Sequence, residues 1–228
     1  MLAFTNTTVT KAELLAQLQL HHDADEIVKG HYWEEGKGCA VGCAIHSGNH
    51  AEYEPRFGIP EALAQLEDAI FEGLPNGEAK KFPLQFVEAI RPGADLSKVQ
   101  YHFCAWILAD PEHGVIRFAG NPEWGVAAAV QTVADLCARM ATDDVPAEAE
   151  WSAAESAAES ARRAAESARR AAESGAESAR SAAESASWSA RSAARSAAES
   201  ASWSARSAAE SASYQAMRDK LLELLRAA

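Results

Sequence analysis

Apolar positions along the first two thirds of the chain recur mainly at helical spacing. Thr10-Lys11-Ala12-Glu13 forms a capping box, with the Thr10 hydroxyl set to meet the N3 amide and Glu13 to reach back. It precedes Leu14, Leu15 and Leu18, which predicts a helix to His21 or His22. Asp23 or Asp25 is expected to start a second short helix through Ile27, closed by Gly30. Leu2 to Val9 reads as an edge strand or an extended arm. Pro60 suits the first turn of a helix carrying Leu63, Leu66, Ile70 and Phe71. A helix starting near Pro83 carries Phe86, Val87 and Ile90 as far as Pro92. The strongest core helix is expected from Leu96 to Leu108, with Val99, Phe103, Trp106 and Ile107 on one broad face and His102 beside it. Gly114 to Phe118 fits either strand or helix, and Trp124 to Met140 reads as a last helix before Asp143, Asp144 and Pro146 close the domain.

After Pro146 the pattern changes to Ala, Ser, Glu and Arg, in which Glu184-Ser-Ala-Ser-Trp188 recurs as Glu199-Ser-Ala-Ser-Trp203 and again as Glu210-Ser-Ala-Ser-Tyr214. Alanine has the highest helix propensity, and Glu159 with Arg162 and Arg163 sits at i,i+3 and i,i+4, so the repeat predicts helix over disorder. The aromatics recur at steps slightly longer than 3.6 residues per turn, which is not a heptad coiled coil. Gly175 is where a hairpin turn is expected, and Met217, Leu221, Leu222, Leu224 and Leu225 make an apolar end that must be buried. The reading is a mainly α protein, with a globular helical domain over 1–146 and a helical extension over 147–228 that folds as a hairpin and offers a surface to a protein partner or to a second copy.

Charge changes the picture for the N-terminal part alone. Ten Lys and Arg stand against 21 Asp and Glu before residue 147, and eleven against twelve after it, within a net charge of −12. Such an acidic domain offers no footprint for a phosphate backbone or an anionic membrane, so neither nucleic acid nor membrane is an expected partner. Met1 to Asn6 has no basic n-region or long apolar stretch, which predicts a cytoplasmic protein. Cys39, Cys43, Cys104 and Cys137 are then expected to be reduced.

Candidate chemistry concentrates between Trp33 and His50, which hold four glycines, two cysteines and two histidines. Gly36 and Gly38 supply a loop capable of positive φ, and Cys39 to His46 can wind as a helix whose first amides face it, a place for an anion or a thiolate. The stretch Tyr32 to Cys43, with Ala24-Asp25-Glu26-Ile27-Val28 and Phe71-Glu72-Gly73-Leu74-Pro75, resembles a group of uncharacterised bacterial and phage-associated proteins, many with Ala/Ser/Trp/Arg tails. That resemblance implies a bacterial cytosolic origin and brings no activity with it.

Three functional readings follow from the residues. The first is a binding or assembly protein, with a small anionic ligand held by Gly36, Lys37, Gly38 and Cys43 against an aromatic wall of Tyr32 and Trp33. The second is a hydrolase or transferase whose nucleophile is Cys39, its thiol pKa lowered by the helix N-terminus and Lys37, with His46, His102 or His31 as base. Gly-x-Gly-Cys leading into a helix resembles the nucleophile turn of papain-like enzymes, although their oxyanion glutamine is missing near Trp33 and no His-then-Asn order is recognisable. The third is a metal-binding protein using Cys and His. Cys39, Cys43, His46 and His50 follow at steps of four, three and four, but one helix presents only an adjacent pair to a single ion, so His21, His22, His31 or His102 would have to complete the set. No ligand set is assigned to a metal, and no cofactor is expected. The sequence leaves open whether the protein is an enzyme.

Overall fold

A computed structural model describes residues 1–119, 125–184 and 211–228. The protein is mainly helical. The chain divides into two compact units, Met1–Cys104 together with Glu210–Ala228, and Ala105–Ala209. The compositional break at residue 147 does not coincide with either boundary.

In the first unit, α1 (Lys11–Asp23) begins at the Thr10 capping box, formed in both directions. The backbone then makes a parallel bridge between Ile27 and Gly38 instead of a second short helix. Val28 N–H donates to the Gly38 carbonyl at 2.8 Å and Gly38 N–H to that of Glu26 at 3.1 Å. Ile27, buried by this pairing, is β-branched and sits more readily in extended backbone than in a one-turn helix. Two short antiparallel strands, β1 (Trp33–Glu34) and β2 (Lys37–Gly38), pair Trp33 with Gly38 and Glu34 with Lys37. The turn between them places Glu35 at φ 48° and Gly36 at φ 83°, the two positive values that a tight hairpin of right-handed twist demands.

Helix α2 (Ala40–Ile45) follows at once and is buried along its whole length. Around it pack α1, α4 (Glu61–Gly73) and α6 (Phe82–Ala89), with α3 (Tyr53–Phe57) and α5 (Asn76–Ala79) as short connectors. Leu14 and Leu18 of α1, Val41 and Ile45 of α2, Leu63, Ile70 and Phe71 of α4, and Phe82 and Phe86 of α6 form the core. Helix α7 (Val99–Ala109) buries only Val99 and Phe103, and Trp106 and Ile107 are half-buried, so it is not the central core helix that its apolar content suggested. That place belongs to α2, whose small residues let three neighbours approach it.

Residues 211–227 are helical (α10) and complete this unit. Leu221, Leu222 and Leu225 are buried, each worth about 1.5–3 kcal/mol against exposure. The Tyr214 ring lies flat on Gly73 at the end of α4, where a Cβ would fall 2.2 Å from ring carbons. Gln215 Nε2 donates to Glu78 Oε1 at 2.9 Å, Arg218 pairs with Glu78, and Arg91 Nη2 donates to the Ala228 carbonyl at 3.2 Å.

In the second unit, Val115–Phe118 is a single 3-10 turn, followed by α8 (Val126–Ala141) and α9 (Glu148–Glu184). These two helices pack on each other through Ala134, Leu136 and Cys137 on one side and alanines such as Ala154 and Ala161, seven residues apart, on the other. Arg139 ties the connection together, reaching Asp144 Oδ2 at 2.7 Å and Glu150 Oε1 at 2.5 Å. Helix α9 runs through Gly175, so the turn expected there does not occur at that residue. The remainder of the expected hairpin, with Trp188 and Trp203, lies outside the described residues.

Candidate functional site

Three glycines shape the site by what they leave out. An added Cβ on Gly42 would lie 1.3 Å from the Tyr32 carbonyl oxygen, one on Gly38 2.1 Å from the same atom, and one on Gly48 3.0 Å from the Tyr32 ring. Gly38 is therefore a close-approach glycine. Positive φ belongs to Gly36 alone of that pair. The backbone of residue 32 lies against α2, and side chains alternate across it. Tyr32 faces one side of α2 and Trp33 the other, so the single aromatic wall expected from them is split between two places.

On the Tyr32 side is a cavity of about 210 Å³ lined by Gly30, His31, Tyr32, Cys39, Asp68 and Glu72. Asp68 comes from the middle of α4 and Glu72 from one turn later, which puts both carboxylates on one face. Glu72 accepts the Gly30 N–H through both oxygens, at 3.0 and 3.2 Å. The Asp68 side chain is 16% exposed and has His50 Nε2 3.5 Å from its Oδ2. Its Oδ1 is buried and accepts no hydrogen bond, and His50 Nε2 is likewise unsatisfied. The His50 ring meets that of Tyr32 edge-on at 5.5 Å. The charge of Asp68 raises the Tyr32 phenol pKa above its ordinary value.

Beneath the cavity Glu67 is 1% exposed and receives the Tyr53 hydroxyl at 2.9 Å. Burial pushes its carboxyl up to about 8, against the smaller lowering effect of that hydrogen bond, and Asp68 adds to the rise. Glu67 is therefore protonated at neutral pH.

Cys39 is the N-cap of α2, and its Sγ accepts the Gly42 N–H at 3.5 Å. The thiol is 1% exposed, and burial pushes its pKa far up, with Asp68 adding to the shift; this is the reverse of the lowering expected for a nucleophile. A short helix dipole and two amide contacts do not offset desolvation of a thiolate. Cys43 is also buried, pushed up to about 12, and its Sγ lies 3.4 Å from the Gly38 carbonyl. Lys37 is exposed on β2 and does not line the cavity. The anion-holding loop of Gly36, Lys37 and Gly38 is thus a hairpin turn. Its Gly38 amide is used in pairing with the Glu26 carbonyl, and the Gly42 amide of α2 is turned toward the Cys39 sulfur.

Cys39, His46 and His102 are not brought together. His46 caps the other end of α2 in the left-handed region at φ 54°. His102 lies on α7 and lines a separate cavity of about 220 Å³ with Asp95, Lys98, Val99, Leu224, Ala227 and Ala228.

His46 instead joins a cluster on the Trp33 side of α2. The Trp33 ring stacks on it with centroids 4.2 Å apart at 26°. His46 Nε2 lies 3.0 Å from His21 Nε2, and His21 Nδ1 lies 2.7 Å from Glu26 Oε2. Gln17 Nε2 donates to the carbonyls of Cys43 and Ala44 at 2.6 and 3.0 Å and so holds the last turn of α2 in place. No group of three or more His, Cys, Asp or Glu side chains among the described residues is placed to hold a metal ion, so Cys39, Cys43, His46 and His50 do not converge.

No family model, curated protein or solved structure matches this chain. The site is read from its geometry alone. Sequence reasoning missed Asp68, Glu72 and Glu67, which look like solvated positions of an ordinary amphipathic helix. The available signal was the place of Glu67, four residues after Leu63 and three and four before Ile70 and Phe71, within the apolar stripe of the helix. No described helix is long and apolar enough to cross a membrane.

Proposed function

We propose that the protein is a binding protein whose cavity at Tyr32, Asp68 and Glu72 takes a small ligand bearing an ammonium or guanidinium group. The observation that carries this reading is the buried Asp68 Oδ1 with no hydrogen-bond partner. A buried carboxylate oxygen left unpaired costs about 1–3 kcal/mol or more, and a cationic donor entering the cavity would recover it. Glu72 and the face of the Tyr32 ring add attraction of the same sign, and no Lys or Arg lines the wall. Cys39 serves as a protonated, apolar floor to the cavity, which favours binding over thiol chemistry. The extension over 147–228 is assigned to association with a protein partner or a second copy.

The test is a thermal-shift series of the full chain with ethylammonium, putrescine and guanidinium. A ligand of Kd about 100 μM, present at about 10 mM, stabilises the folded state by about 2.7 kcal/mol. The wild type should rise in Tm with at least one of these cations, and Asp68→Asn should lose the rise. Equal shifts in both proteins, or none in either, would remove the proposal.

A further inference from the structure

On the face of α2 away from that cavity, the His21 and His46 rings meet with planes at 89° and Nε2 atoms 3.0 Å apart. Two imidazole nitrogens at that distance hold one hydrogen between them, donated by one ring and accepted by the other. Gln17 cannot supply it. Its amide nitrogen comes within 3.4 Å of His46 Nε2, but its two hydrogens go to the Cys43 and Ala44 carbonyls at 2.6 and 3.0 Å. On the far side of His21, Nδ1 lies 2.7 Å from Glu26 Oε2, and an ionised carboxylate only accepts, so this nitrogen also carries a hydrogen. The pair can therefore take one extra proton, on His46 Nδ1, and keep its hydrogen bond. A second makes both rings imidazolium, with N–H facing N–H and two like charges in contact.

The other charges about His46 give no relief. Arg56 of α3 is a further cation, its Nη1 on the Ile45 carbonyl at 3.2 Å and its Nη2 paired with Glu52 at 2.9 Å, while Glu26 stands behind His21. From β1 comes the uncharged Trp33 ring, stacked on His46 at 4.2 Å. Burial first, then the charges of His21 and Arg56, lower the His46 pKa below its ordinary value.

We propose that His21 and His46 form a proton-operated latch, closed while the two rings share at most one positive charge and opened by the second proton, which turns His46 off Trp33 into solvent. The inference does not rest on the ammonium cavity, which lies across α2 and shares no side chain with the latch. His46 is exposed and is followed by Ser47-Gly48-Asn49, so its ring has water to turn into. Gln17 still braces the last turn of α2, which keeps the opening local: the helices stay in place and the face of Trp33 is uncovered. The closed form resists the second proton and the open form accepts it. Closure is therefore complete at neutral pH and is lost as pH falls, by up to about tenfold in the open–closed equilibrium per pH unit.

The test is nuclear magnetic resonance on the full chain, following the Overhauser cross-peaks between the Trp33 and His46 rings from about pH 7.5 to about pH 5, a window above the ordinary carboxylate range. In the wild type these cross-peaks should fall at least about tenfold in intensity across the window. His21→Gln replaces the facing cation by an amide whose oxygen accepts the His46 N–H in either charge state, so its cross-peaks should persist at about pH 5. Circular dichroism at both ends of the window checks that α1 and α2 are intact. Cross-peaks that survive in the wild type would overturn the latch without any variant. So would an equal loss in folded His21→Gln, which would show that the charge conflict between the two rings is not the cause.

Discussion

The carbonyl oxygen of Tyr32 occupies the space where a Cβ on Gly42 would be, 1.3 Å away. Neither partner can yield locally, because the oxygen is main chain and Gly42 is in the middle of a buried helix. Gly42→Ala should therefore destabilise the protein by about 2–4 kcal/mol, the upper range of overpacking effects. A denaturant midpoint within error of the wild type would show that residue 32 does not sit against α2.

Glu67 gives a pH dependence of defined sign. Its carboxyl is raised to about 8 in the folded state by burial, while in an unfolded chain it titrates near the ordinary glutamate value. Between those values the folded state holds the extra proton, so this group's stabilising contribution is full at low pH and is lost as pH rises toward 8. Glu67→Gln can still accept the Tyr53 hydroxyl and does not titrate. Its stability relative to the wild type should increase from pH 5 to pH 8 by a few kcal/mol, at up to about 1.4 kcal/mol per pH unit. Parallel stability curves for the two proteins would contradict a protonated Glu67.

The cysteines allow a chemical check of the buried α2 N-terminus. Alkylation by iodoacetamide at pH 7.5 should modify Cys39 and Cys43 at least about 100-fold more slowly than a free thiol, since both are buried and held as thiols. Cys104, half-buried on α7, should react before either. Fast, selective labelling of Cys39, read by mass spectrometry of the peptide over Cys39, would return the nucleophile reading to the front.

Much of the helical framework was legible because its signals are local. The Thr10 box, Pro60 before α4 and the proline at the start of α6 each mark a helix start by hydrogen bonding or fixed φ within a few residues. What was not legible depends on partners distant in sequence. The β1–β2 hairpin is short because Gly38 pairs on its other side with Glu26 and Val28, and no run of alternating residues announces that. The stretch over Trp33 to His50 stands out by its density of Gly, Cys and His, but its glycines serve mostly to admit the Tyr32 backbone, and its cysteines are packed where the sequence suggested reactivity. The carboxylates of the cavity come from α4, whose pattern by itself says only that a helix is amphipathic.

Helix α10 offers a further measurement. Leu225 is fully buried, so Leu225→Ala should cost about 2–5 kcal/mol in the first unit's unfolding transition. Arg218→Ala, which removes a partly exposed pair with Glu78, should cost about 1 kcal/mol or less. A Leu225→Ala protein as stable as the wild type would mean that α10 does not occupy the groove beside α4 and α6.

The placement of α10 sets the order in which this protein can mature on a ribosome. Residues 1–104 emerge first and contain α1 to α6, yet the surface that receives Tyr214, Leu221 and Leu225 stays bare until about a hundred further residues have been made. At roughly 5–20 residues per second that is an interval of seconds, long against the collapse of a helical core. During it the Gly73 end of α4 lacks the Tyr214 ring that covers it in the finished protein, so the first unit is completed only after its own first hundred residues have had time to collapse.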